Sequence, residues 1–131
     1  MRSKLFVPGD RPALFAKAMA GAADAVSFDL EDAVADAAKP EARAQVAGFL
    51  RDAPHRKAGK QAIVRTNAWH SAAWEDDLRA VLPLDVDLVN LPKIESAEQL
   101  KQAVAEIEAI EARLGVRGGA GLLINLSLIH I

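Results

Sequence analysis

The sequence predicts an α/β protein in which short strands and longer helices alternate about a parallel sheet. Three observations predict it. Apolar, β-prone runs alternate with stretches of helix formers at a repeat of about 30 residues, the size of a strand–helix unit with right-handed crossovers. Hydrophobic residues make up 51% of the 131 positions and charged residues 26%, the balance of a chain with a packed core. Four of the apolar runs also end in distinctive polar or conformationally special residues.

Lys4–Val7 reads as the first strand, ended by Pro8-Gly9. Pro12 suits a helix start, and Ala13–Ala20 continues in good helix formers to Gly21. Ala25–Leu30 is the second strand; the Ala-rich stretch Ala33–Ala38 is a loop, and Pro40–Arg51 is the second helix. Asp52 to Lys60 reads as a polar loop carrying His55. Ala62–Thr66 is the third strand. Trp74–Leu82 is the third helix, opened by Glu75, Asp76 and Asp77, acids that favour a helix N-terminus. Asp87–Leu91 is the fourth strand. Ser96–Leu114 is the longest helix, with Ser96 as N-cap and Gln99 three residues on. Gly119-Ala120-Gly121 leads into a fifth apolar run, Leu122–Ile124. The expectation is five strands with four intervening helices. An open doubly wound sheet and part of a (β/α)8 barrel both fit this pattern. No glycine-rich dinucleotide fingerprint follows the first strand, which removes the best evidence for the open sheet.

A net charge of −2 argues for neither a nucleic-acid nor an acidic-membrane partner. The absence of cysteine rules out disulfides and thiolate-bound metals. The apolar run Leu5-Phe6-Val7 is too short for a signal-peptide core, and no stretch approaches the roughly 20 residues that span a bilayer. The expectation is a cytoplasmic protein without membrane partners.

Position makes the polar residues informative. The runs end in Pro8-Gly9-Asp10-Arg11, Asp29-Leu30-Glu31-Asp32, Arg65-Thr66-Asn67 and Asn90-Leu91-Pro92-Lys93-Ile94-Glu95. In parallel α/β folds the C-terminal strand ends face the active site, so these groups converge although they are distant in sequence. Pro8-Gly9 reads first as a backbone device, because Gly tolerates positive φ and Pro stops a strand. Asp29 and Glu31 alternate with Phe28 and Leu30 and share one face; Glu31 and Asp32 read either as capping or surface acids or as a functional pair. Arg65 follows Ile63-Val64 near the core edge, where an unpaired cation is costly, so it needs a carboxylate from the protein or a ligand. Lys93 reads either as a solvent lysine or as a site residue whose approach Pro92 sets. His70 is placed to edge the site, and the histidine spacing makes no metal motif. Trp69 and Trp74 read as cover for the core.

Taken together, these segments resemble a known family. Arg2-Ser3-Lys4-Leu5-Phe6-Val7-Pro8-Gly9 resembles the opening of citrate lyase β subunits and of malyl-CoA and citramalyl-CoA lyases. Asp29-Leu30-Glu31-Asp32-Ala33-Val34 resembles the signature after their second strand, and Lys39 to Arg43 its sequel. Val64-Arg65-Thr66-Asn67 resembles their arginine strand, and Leu91-Pro92-Lys93-Ile94-Glu95-Ser96 their fourth-strand motif. The match runs in order over about residues 2 to 125.

The resemblance, which extends in fold to HpcH/HpaI aldolases, implies the first five strands of a (β/α)8 TIM barrel over residues 1–125. It implies a lyase that cleaves a 3-hydroxy-acyl-CoA of the malyl, citramalyl or citryl type into an acyl-CoA and an oxo acid with Mg²⁺. The partners implied are a small CoA thioester and an oxo acid, with a homo-oligomer at full length. By the same resemblance Arg65 is catalytic and grips the oxo acid, a role for a planar cation with forked donors. Glu31 and Asp32 orient Arg65 or metal-bound water, and Arg2 and Arg11 lie on the CoA approach. Alternatives are an HpcH-type aldolase acting on free oxo acids and a non-catalytic oxo-acid- or CoA-binding paralogue.

The sequence departs from the family pattern after Asn125. Ser127 stands where a Mg²⁺-binding glutamate is expected, and the second ligand, an aspartate, would follow a later strand. A hard dication wants charged oxygens, so this chain is expected to be inactive alone and not to bind Mg²⁺ at a specific site. Residues 126–131 are expected to be a truncated or non-native tail, or the end of a short paralogue that lost the metal. The outer strands Lys4–Val7 and Leu122–Ile124 are expected to lack partners on one side, which favours self-association.

Overall fold

The computed structural model describes residues 3–116 and 121–126, the latter by strand placement alone. Five parallel strands alternate with helices: β1 (Lys4–Pro8), α1 (Phe15–Ala20), β2 (Ala25–Asp29), α2 (Lys39–Leu50), α3 (Pro54–Ala58), β3 (Gln61–Arg65), α4 (Trp74–Val81), β4 (Leu88–Ile94), α5 (Ala97–Leu114) and β5 (Gly121–Leu126). Single 3₁₀ turns, Pro12–Leu14 and Asp36–Ala38, lead into α1 and α2. The strand order follows the chain, β1-β2-β3-β4-β5, so β1 and β5 are the outer strands of an arc that their pairing does not close. Leu5 and Phe6 on β1 are exposed. This is a partial barrel.

Alternation along the strands sorts the two faces. Val7, Val26, Phe28, Ala62, Val64, Val89 and Leu91 belong to the core under the helices, with Phe15, Val46, Leu50, Leu78 and Ile107. The intervening positions make the other face. There the register aligns Asp29 with Arg65, both at the C-terminal ends of their strands, and Arg65 with Asn90 within β4. Helix α5 starts as its capping pattern requires: Gln99 N–H donates to Ser96 Oγ at 3.1 Å, and Glu95 N–H donates to Gln99 Oε1 at 2.9 Å.

Several expectations need correction. A fifth helix, α3, replaces the expected polar loop between β2 and β3. It is a single turn, entered through Ala53 at φ 49° and left through Gly59 at φ 70°. One turn is too short to show a 3.6-residue period, so sequence periodicity missed it. His55 on α3 is fully buried and bonds the Asp85 carbonyl at 2.6 Å, while Arg56 pairs with Asp85 and Asp87. The fourth strand runs on through Pro92, past its expected end at Leu91. Leu126, expected in the tail, lies in β5 opposite Ile94. Arg2 and Ser127 lie outside the described residues.

Gly9 is required for a different reason from the one expected. Its φ is not positive; the constraint is close approach. Its N–H donates to the Asp29 carbonyl at 2.8 Å, and an added Cβ would sit 2.7 Å from that oxygen and 3.0 Å from Leu30 Cδ2. The turn after β1 therefore lies directly on the end of β2, where only a hydrogen side chain fits. Gly9→Ala is expected to destabilise the fold by about 1–3 kcal/mol, read from the denaturant midpoint, because backbone must move to admit the methyl.

Candidate active site

Asp29 ends β2 as a buried carboxylate with four donors. Its Oδ1 accepts from the Glu31 N–H at 2.9 Å and from Arg65 Nε at 2.8 Å; its Oδ2 accepts from the Ala33 N–H at 2.9 Å and from Arg65 Nη2 at 2.6 Å. Asp29 thus shapes the turn after its own strand and clamps the arginine of the next. Burial alone would raise its carboxyl; the Arg65 bonds, the two backbone donors and the Arg65 charge outweigh this and hold it below the ordinary value of 3.8. The Arg65 guanidinium is held above its ordinary range, chiefly by the Asp29 bonds. Nη1 of Arg65 has no acceptor among the described residues, so the fork is anchored along one side and open on the other.

Glu31, two residues on, is buried at 6% exposure, and neither carboxylate oxygen accepts a hydrogen bond among the described residues. Burial and the neighbouring Asp32 charge push its carboxyl above the ordinary 4.5, against the pull of Lys93 and Arg65. Lys93 Nζ stands 3.4 Å from Glu31 Oε2 and 3.5 Å from Asp32 Oδ1, an ion pair with poor bond geometry. Lys39 of α2 fixes the turn from below, donating to the Leu30 and Glu31 carbonyls at 3.1 and 2.9 Å.

Asp77 holds the loop after β3. Fully buried at the start of α4, it accepts from Asn67 N–H at 2.8 Å, from Asn67 Nδ2 at 2.7 Å and from Arg43 Nε at 2.9 Å. A cavity of about 920 Å³ opens between these loops, lined by Glu31, Asp32, Lys39, Arg43, Asn67 and Lys93 among others.

The structure brings Arg65, Glu31 and Asp32 to one end of the sheet, as position in sequence suggested. It assigns Arg65 a partner that sequence reasoning did not choose: Asp29 makes the bidentate contact, while Glu31 and Asp32 meet Lys93. Arg11 is exposed in the turn after β1. His70 turns away from the mouth, with Nε2 3.1 Å from Glu106 Oε1 on α5; Trp69 donates to the same carboxylate at 2.6 Å. Sequence reasoning missed Asp77 and its bonds to Asn67. Its three adjacent acids read as helix-dipole partners, and nothing local marked one of them as buried.

A family model described as HpcH/HpaI aldolase/citrate lyase matches residues 2–126. Citrate lyase subunit beta of Escherichia coli K12 is 40% identical over 123 residues, which cover 93% of this chain and 40% of the relative. The (3S)-malyl-CoA thioesterase of Cereibacter sphaeroides is 38% identical over 106 residues, covering 81% of this chain and 36% of the relative. The crystal structure of CitE from Mycobacterium tuberculosis in complex with magnesium, acetoacetate and coenzyme A matches with TM-score 0.65 and 35% identity over 92% of this chain and 47% of that one. The chain spans less than half the length of these relatives.

Two changes test the site's electrostatics. Asp29→Asn is expected to cost about 3–5 kcal/mol, since it leaves the Arg65 cation unpaired at the core edge. Its folded-state carboxyl is lowered, so the wild-type advantage is full above pH 3.8 and fades as pH falls through the lower folded value. Glu31 has the opposite sign. Its carboxyl is raised, so its charge destabilises at neutral pH and the penalty vanishes towards pH 4.5. Glu31→Gln is expected to be more stable than wild type at pH 7, with the gain shrinking towards pH 4.5 in denaturation curves.

Proposed function

The chain belongs to the HpcH/HpaI aldolase/citrate lyase family, and on that premise we propose that it contributes the arginine half of the active site of a carbon–carbon lyase acting on a CoA thioester. The observation that carries this reading is the open fork of Arg65, clamped by Asp29 at the C-terminal end of β3, at the strand end where Glu31 and Asp32 line the cavity.

The chemistry of the family gives that fork a role. A 3-hydroxy-acyl thioester loses its hydroxyl proton to a base; the carbinol carbon becomes a carbonyl; the carbon–carbon pair passes into a thioester enolate, which takes up a proton and leaves as the acyl-CoA. The other product is an oxo acid. Its oxygens suit the free donors of Arg65, whose permanent planar charge stabilises negative charge as it develops. Asp29 keeps the guanidinium from rotating and keeps it in plane, so orientation is set before substrate arrives. Support for a thioester comes from the malyl-CoA thioesterase relative and from the CitE structure that holds coenzyme A. Arg11, exposed beside the end of β1, is the described cation we assign to the CoA approach.

The CitE structures also hold magnesium. Among the described residues no three ligating side chains come together, so they do not make up a metal site. Glu31 and Asp32 carry acceptor oxygens at the same strand end and, since Asp29 already orients Arg65, are assigned the orientation of metal-bound water.

In a full-length homologue carrying this segment, Arg65→Lys is expected to lower kcat/KM for thioester cleavage by about 10²-fold or more, because a point charge cannot hold both Asp29 and the oxo acid. The measurement compares malyl-, citramalyl- and citryl-CoA with the corresponding free acids. Near-wild-type kinetics in the variant would remove Arg65 from the mechanism, and equal turnover of the free acids would replace the thioester reading with that of an aldolase.

A further inference from the structure

Lys93 sits in a conformation that L residues avoid. Its φ is 60°, one residue before the end of β4. The cause is local. Between the pairs Leu91–Ile124 and Ile94–Leu126 two residues of β4, Pro92 and Lys93, face one of β5, a bulge in the ladder. Such a bulge re-aims a side chain, and strain of this kind persists where the surroundings hold it. Here it turns Lys93 off the ladder and across the cavity mouth to the acids that follow β2.

We propose that Lys93 is a positioning residue of this site: the left-handed bulge of β4 holds its ammonium against Glu31 and Asp32, keeping the buried Glu31 carboxylate oriented and charged as an acceptor beside Arg65. The proposal rests on reading this strand end as the active site. Lys93 needs no contact with substrate for this role. The groups facing Glu31 are Asp29 and Asp32 from β2 and its turn, Lys39 of α2 on its carbonyl, Arg65 of β3 and Lys93 of β4. Arg65 is already committed to Asp29, so Lys93 is the cation left to balance Glu31. A glycine would relieve the strain, so a lysine here is kept at a cost in stability.

The test uses Lys93→Gly, Lys93→Met and Lys93→Arg. Lys93→Gly is expected to melt about 2–4 °C above Lys93→Met, which also lacks the ammonium but keeps the strain, and in a full-length homologue carrying this segment both are expected to lower kcat/KM at least about tenfold. In Lys93→Met the Glu31 side-chain carboxyl, followed by ¹³C NMR, is expected to titrate at higher pH than in wild type, while Lys93→Arg, which restores the charge, keeps the wild-type titration. The NMR arm needs no turnover. A protein without lyase activity therefore fails the functional reading and leaves the tether measurable. Unchanged Glu31 titration in Lys93→Met, or Lys93→Gly that melts below Lys93→Met and keeps activity, overturns the proposal.

Discussion

The bidentate contact between Asp29 and Arg65 organises the upper end of this sheet. One carboxylate takes two donors from the guanidinium of β3 and two from the backbone that follows β2. A buried carboxylate without such partners would take up a proton, and a buried-edge arginine without a carboxylate would be costly. Each therefore makes the other tolerable, and the pair fixes the turn on which Glu31 and Asp32 sit. Gly9 belongs to the same unit, because the backbone of β1 can reach the Asp29 carbonyl only where no Cβ intervenes.

Charge at the mouth is arranged in two tiers. The lower tier, Asp29 with Arg65, is internally neutral and close-paired. The upper tier sets two acids, Glu31 and Asp32, against one cation, Lys93, at distances too long for good hydrogen bonds. Rigidity below and loose pairing above suit a site that must hold one group in place while others exchange partners. Glu31 is the group in tension: burial and Asp32 favour its protonation, and Lys93 and Arg65 oppose it. Such tension is common where chemistry is done.

The opposite end of the sheet is built for stability. There His55 is buried against the Asp85 carbonyl, Arg56 spans Asp85 and Asp87, and Asp87 in turn accepts from the Ala62 N–H at 2.8 Å. These contacts join α3 to the start of β3 and β4 far from the cavity. In parallel β/α folds the ends of the strands divide labour in this way, with loops at the C-terminal end carrying function. Asp77 extends the stabilising role upward, since a fully buried acid bonded to Asn67 and Arg43 sets the loop that forms the far wall of the cavity.

The sequence by itself determined the strands and most of the helices, their order, and the gathering of Arg65, Glu31 and Asp32 at one end. Those follow from period, capping and strand-end position, which neighbouring residues encode. It could not show α3, because one helical turn has no period to read, nor that Asp77 alone of three adjacent acids is buried. Choice of partner was likewise a matter for the tertiary structure. Asp29 and Arg65 lie 36 residues apart, and they meet because β2 and β3 are neighbours in a register that sets them side by side. Lys93 reaches Asp32, 61 residues away, and Glu31 beside it because a bulge between β4 and β5 turned its backbone left-handed. Local sequence specifies which groups stand at a strand end; the pairing of strands decides which of them touch.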